Sequence, residues 1–346
     1  MNNRLAFALI LSFLTLPALA QTQSDAAPAS VPAGEPPQAL EAAPAQIVVT
    51  GRRPGPGVWK VSKDGHVMWV FGLYSPLPKN MEWDAGRVER LVAQSQALLM
   101  PPSAEAHVGF LKGLTLLPQM TRIIGIQNNP DGATLQDVLP PEVYAHWTSL
   151  KAKYIGDDKD VERLRPIFVA QRLQRAGRDH SGLSNKADVR ERIVQIAKAN
   201  KVRLAKSGVS MELDNVGQAL TDFKQNRLND AACLARTLDS LEQDLDAMQQ
   251  RANAWANGNI AEIQGLDFST RDNACDDAIL GSVAVQNNAG LRSMRERLRE
   301  SWLAAAEKQI AANSSTFALL EMKDLFDPKG YLAVLQARGY TVESPK

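Results

Sequence analysis

Four histidines and two cysteines are the residues here best suited to metal binding or nucleophilic chemistry. His66, His107, His146 and His180 stand far apart. No two are three or four positions apart, the spacing that places two imidazoles on one helix face. His66 reads as a strand residue beside a turn, His107 and His146 as helix residues, and His180 as part of a polar loop. Capping and surface hydrogen bonding are the ordinary roles of such histidines. H-E-x-x-H, G-x-S-x-G, P-loop and Gly-rich dinucleotide motifs are all missing. Arg163, Arg165, Arg172, Arg175 and Arg178 form a basic stretch, but 39 Lys+Arg stand against 38 Asp+Glu, for a net charge of +1. A solvated helix face accounts for that stretch, and the balance argues against a nucleic-acid surface, which needs net positive charge.

The two cysteines depend on compartment. Residues 1–20 begin with Arg4, continue as an apolar run from Leu5 to Leu16, and end in Ala18-Leu19-Ala20. That is the form of a secretory signal peptide cleaved after Ala20, too short to span a bilayer. It implies a periplasmic or secreted mature chain with no membrane span. In an oxidising compartment Cys233 and Cys275 form one structural disulfide, the alternative being two buried thiols.

The elements that must position any site begin after a linker. Residues 21–57 hold seven prolines, much alanine and no aromatic residue, so they bury too little to offset the entropy of ordering. One island, Ile47-Val48-Val49-Thr50, resembles short segments near the N-termini of TonB-dependent receptors. It reads either as a strand docking to an envelope partner or as an ordinary short strand.

From Val58 the pattern is a hairpin, Val58–Ser62 and His66–Gly72 around Asp64-Gly65. A helix over Asp84–Gln96 and a buried strand at Ala97–Met100 follow. The region from about 104 to 312 reads as mainly helical. Its clearest element is Ala231–Asn257, where Leu234, Leu238, Leu241, Leu245, Met248, Ala252 and Trp255 recur in steps of four and three. Asn185 can cap a helix running to about Asn200. Strand signals return at Thr316–Glu321 and Gly339–Val342, with a helix between from Pro328 to Ala337. The expected fold is α/β (α+β): a central mixed sheet from N- and C-terminal strands, with a large helical middle, in a single domain over 58–346.

Several segments carry a family resemblance: Val58-Trp59-Lys60-Val61, Val70-Phe71-Gly72-Leu73-Tyr74-Ser75 followed by Pro76, Pro78 and Trp83, and Thr134-Leu135-Gln136-Asp137-Val138-Leu139. Others are Arg165-Pro166, Trp255 with Gly258, Arg297 with Trp302-Leu303, and Arg338-Gly339-Tyr340-Thr341-Val342. In their order and spacing they resemble the TraB/GumN family over about residues 57–346. That family is related to metal-dependent hydrolases and similar to erythromycin-esterase and ChaN-like proteins.

The resemblance implies a metal centre from two G-x-x-H motifs and a glutamate after the second core strand. Here the first motif is Gly72-Leu73-Tyr74-Ser75, the glutamate position falls at about Pro101, and the second motif is Glu321-Met322-Lys323-Asp324. Serine and aspartate thus stand where imidazoles are expected. A serine hydroxyl is a poor ligand for zinc, manganese or cobalt, and proline offers neither ligand nor base. Ser75, Glu321 and Asp324 could hold a hard divalent cation only weakly, and no cofactor is expected. Lys323 could instead neutralise a carboxylate.

The first expectation is a catalytically degenerate, periplasmic binding or accessory protein whose partner is a peptide, a polymer or an envelope protein. The others are a hydrolase rearranged around Ser75, Glu321 and Asp324, and an envelope interaction protein docking through Ile47–Thr50.

Overall fold

The computed structural model describes residues 55–107, 125–185, 189–212, 230–265, 275, 290 and 293–345. The expected signal at 1–20, the Ile47–Thr50 island and nearly all of the linker lie outside them.

Two strands, β1 (Val58–Lys63) and β2 (His66–Leu73), form the expected hairpin, paired from Val58 opposite Phe71 to Lys63 opposite His66. Asp64 and Gly65 take φ of 51° and 82°, the left-handed angles that a two-residue turn requires. A short β3 (Leu77–Pro78) and a helix α1 (Gly86–Ala93) lead to β4 (Ala97–Leu99) and β5 (Ser103–His107).

The middle of the chain carries α2 (Leu135–Val138), α3 (Pro141–Tyr154) and α4 (Pro166–His180). After these come β6 (Leu183–Ser184), α5 (Val189–Ala199), β7 (Arg203–Ala205) and β8 (Gly208–Glu212). The long helix α6 (Ala231–Ala256) and α7 (Ile260–Gly265) precede α8 (Met294–Ala312). The chain closes with β9 (Ser315–Glu321), α9 (Met322–Phe326), α10 (Tyr331–Ala337) and β10 (Thr341–Glu343).

Six strands form one mixed sheet in the order β10-β1-β2-β9-β4-β7. Central β9 lies parallel to β2 on one side, from Val67 opposite Ser315 to Leu73 opposite Glu321, and parallel to β4 on the other. The fold is therefore α/β, with its sheet built chiefly from the two ends of the folded chain. Strands β2 and β9 read as continuous apolar runs because both faces are covered. Trp302, Leu303, Ala306 and Ile310 of α8 are buried in the core that the sheet shares.

The region 104–312 is mainly helical, as expected, but it also supplies short strands. Among the described residues, β7 joins the edge of the main sheet, and β5 and β8 pair in parallel just beyond Pro101-Pro102. Met100 N donates to Ala205 O at 2.9 Å and Ser103 N to Ser207 O at 3.2 Å, carrying the ladder across the prolines. Three residues on a sheet edge, two of them exposed, are too short to show alternation.

Smaller corrections follow. His107 stands in β5, not a helix, and His180 is the last residue of α4, not a loop residue. Arg165, assigned above to a solvated face, is 2% exposed, and its Nε donates to Asn128 O. The C-terminal helix starts at Tyr331 rather than Pro328.

All seven stripe residues of α6 are buried. Leu234, Leu238, Leu241, Leu245 and Met248 pack with Leu135, Trp147 and Leu173 of α2–α4 in a helical core. Ala252 and Trp255, one turn further on, belong to the sheet core. Helix α6 thus spans both cores, and its residues 248–255 lie at their junction. Gly258, at φ 70°, ends it, and Glu262 N donates to Asn259 Oδ1 at the start of the next helix. Cys233 near its start is disulfide-bonded to Cys275, 42 positions away.

Candidate functional site

Where β2 ends, three features fix its direction. Gly72 lies under α9: a Cβ there would sit 2.7 Å from Met322 Cε and 2.9 Å from Leu325 Cδ1. Gly72 O accepts a 2.8 Å bond from Trp255 Nε1, and Tyr74 Oη donates to Met248 O at 3.3 Å. Helix α6 is therefore tied to the end of β2 at two points. Phe71 meets both Trp255 and Phe317 with ring centroids about 6 Å apart, and Trp83 packs against Trp255 at 5.5 Å with the rings tilted by 59°. Phe71, Trp83 and Trp255, three of the aromatic residues carrying the resemblance, thus meet beside the strand end.

Beyond Tyr74 the chain leaves the sheet at Ser75-Pro76 and pairs through β3 with β6, Leu77 opposite Ser184. That pairing brings Asn185 beside Ser75, whose Oγ donates to Asn185 Oδ1 at 3.3 Å. Residues 186–188, between Asn185 and α5, lie outside the described residues. Glu321 ends β9 directly after Leu320 and opposite Leu73.

Ser75 and Glu321 line one cleft of about 330 Å³, at the carboxyl ends of two neighbouring parallel strands. Open α/β sheets present their ligand sites at such strand ends. Arg178 of α4, Arg251 of α6 and Lys323 of α9 also line it, with Tyr74, Asn185 and Met248. Asp324 does not line it. It is half-buried one residue further along α9 and acts electrostatically on Tyr331. Pro101 lies just beyond β4 and is likewise outside the cleft lining.

The charges around the strand ends perturb one another. Desolvation first, then the Asp324 carboxylate, pushes Glu321 above its ordinary range, against the pull of Lys323 and Arg190. Asp324 is also raised, mainly by desolvation, with Lys323 and Arg295 opposing and Asp327 reinforcing. Burial, with Asp324 nearby, pushes the Tyr331 phenol up to about 12. Its ring packs edge-on against Trp302 at 5.1 Å.

A metal centre does not fit this donor set. The three positions that the resemblance assigns to a metal centre hold Ser75, Pro101 and Asp324, of which only Ser75 lines the cleft, and the cleft adds three cationic side chains. Among the described residues, no group of three or more His, Cys, Asp or Glu side chains is close enough to share an ion. Positive charge from Arg178, Arg251 and Lys323 opposes a cation there.

Sequence reasoning placed Ser75 and Glu321 through the motif alignment and missed Arg178 and Arg251 as cleft residues. Arg178 was visible only as one member of a basic stretch, and Arg251 only as a polar position beside the α6 stripe. Nothing in either neighbourhood shows that α4 and α6 meet at the end of β2. A second cleft, of about 450 Å³, lies along α4, lined by Gln127, Phe168, Gln171, Arg172 and Arg175 among others. Its Arg172 is ion-paired with Asp158.

Among the described residues, no helix is long and apolar enough to cross a membrane. The model of a family described as TraB/PrgY/gumN matches residues 57–344, most of the chain. No curated protein and no solved structure matches it.

Proposed function

The chain belongs to the TraB/PrgY/gumN family, and on that premise we propose that it is a non-catalytic binding or accessory protein of the cell envelope. In this reading the strand-end cleft of a metallohydrolase-like scaffold survives as a binding surface. The observation that carries it is the content of that cleft: Ser75 in place of a histidine, with Arg178, Arg251 and Lys323 around it. Such a lining holds neither a catalytic divalent ion nor the hydroxide that the ion would generate. The N-terminal sequence and the Cys233–Cys275 disulfide support an exported, periplasmic protein.

The second reading, a rearranged hydrolase, draws on Ser75 and Glu321 sharing one cleft and on the raised Glu321 carboxyl. A nucleophilic serine needs a base in hydrogen-bonding reach. Ser75 Oγ instead donates to the amide oxygen of Asn185, a neutral acceptor that does not take its proton. We therefore favour binding. Peptide hydrolysis by the purified mature chain, with and without added Mn²⁺, Co²⁺ or Zn²⁺, tests this. The expected result is no turnover above a Ser75→Ala, Glu321→Gln double variant; turnover that the double variant lacks would overturn it.

A further inference from the structure

Three cationic side chains reach the strand-end cleft from elements far apart in the chain. Arg178 comes from the last turn of α4, Arg251 from the C-terminal part of α6 and Lys323 from α9. Glu321 is the one acidic side chain of the described lining. Both arginines are half-buried, where a charge is less screened than on an open surface.

A guanidinium carries five N–H donors in a planar fork that matches the oxygens of a carboxylate or phosphate. Each arginine also has a partner within the protein, and an anion meets the donors that this partner does not take. Ser75 and Asn185, already in contact with each other, add neutral hydrogen-bonding groups at the rim. At about 330 Å³ the cleft is at the small end of ligand pockets and suits a single charged group with its nearest neighbours.

We infer that this cleft binds an oxyanion, the carboxylate or phosphate end group of a larger ligand, gripped between Arg178 and Arg251 with Lys323 at the mouth. This inference rests on the binding reading above and names the chemical class of its ligand.

Calorimetric titration of the oxidised mature chain with N-acetylglycine, N-acetylglycine amide and inorganic phosphate tests it, at low and at high salt. N-acetylglycine or phosphate is expected to bind in about the millimolar range or tighter, more weakly at high salt, and the uncharged amide not to bind. Whichever anion binds more tightly identifies the end group. Arg251→Gln is expected to weaken binding about tenfold, the loss of one charge-assisted contact. Lys323→Gln, at an exposed position that the fold tolerates, is expected to weaken it less but measurably. Arg175→Gln, in the second cleft, should leave it unchanged.

Absence of binding by both anions, equal binding of the amide, or wild-type affinity in both Arg251→Gln and Lys323→Gln would overturn the inference. Anion binding together with metal-dependent cleavage would overturn the non-catalytic reading and leave the anion site standing. Neither binding nor cleavage would do the reverse.

Discussion

Glu321 carries an electrostatic cost that a single substitution exposes. Its carboxyl is raised above the ordinary glutamate value of 4.5, first by desolvation and then by Asp324. An acid whose folded value is raised favours the folded state while protonated and disfavours it once ionised. Glu321 therefore contributes least stability once the pH rises past 4.5 and through its folded value. Glu321→Gln should match the wild type in urea denaturation near pH 4 and become slightly the more stable protein by pH 7, the gain kept small by solvent screening of an exposed side chain. Asp137, Asp158 and Glu242 are shifted the opposite way, so only the difference between the two proteins is diagnostic. A difference that stays constant with pH would refute the raised value.

At this scale the closeness of Ser75 and Glu321 follows from the family resemblance, which places the strands ending at Gly72 and Glu321 side by side. The arginines that give the cleft its sign do not. Arg178 and Arg251 are brought together by helix packing, which no local pattern encodes.

Among the elements, α6 does most to place the site. Its stripe is legible because 26 helical residues give the apolar period many repeats, and the burial of all seven stripe residues follows from it. The division of that stripe between two cores is not legible, since Leu245 and Trp255 look alike in pattern. Short elements fail for the opposite reason: β7 has three residues and β6 two, too few for any period.

The Cys233–Cys275 bond closes a loop of 42 positions from the start of α6. On the chain-entropy model such a loop is worth about 4 kcal/mol. A Cys233→Ala, Cys275→Ala variant should lose stability of about that order in urea denaturation, whereas the same substitutions should not matter under strongly reducing conditions. An unchanged midpoint under oxidising conditions would show that the bond does not constrain the unfolded chain.

For the whole molecule, the sheet explains why the ends of the folded chain matter together. Strand β9 comes from near the C-terminus and slots between β2 and β4, so Leu73 and Glu321 become neighbours despite their distance in sequence. That much was readable, because strand signals appear only as apolar runs at the two ends. At the carboxyl ends of β2 and β9 the same sheet opens a cleft lined by Ser75 and Glu321 together with Arg178, Arg251 and Lys323.

The central proposal is that the strand-end cleft holds no catalytic metal. It is tested most directly by measuring Zn²⁺, Mn²⁺ and Co²⁺ retained by the purified mature protein after equilibration with each ion and removal of excess. The account predicts well under one equivalent of each, unchanged in Glu321→Gln. One equivalent retained by the wild type and lost in Glu321→Gln would contradict it.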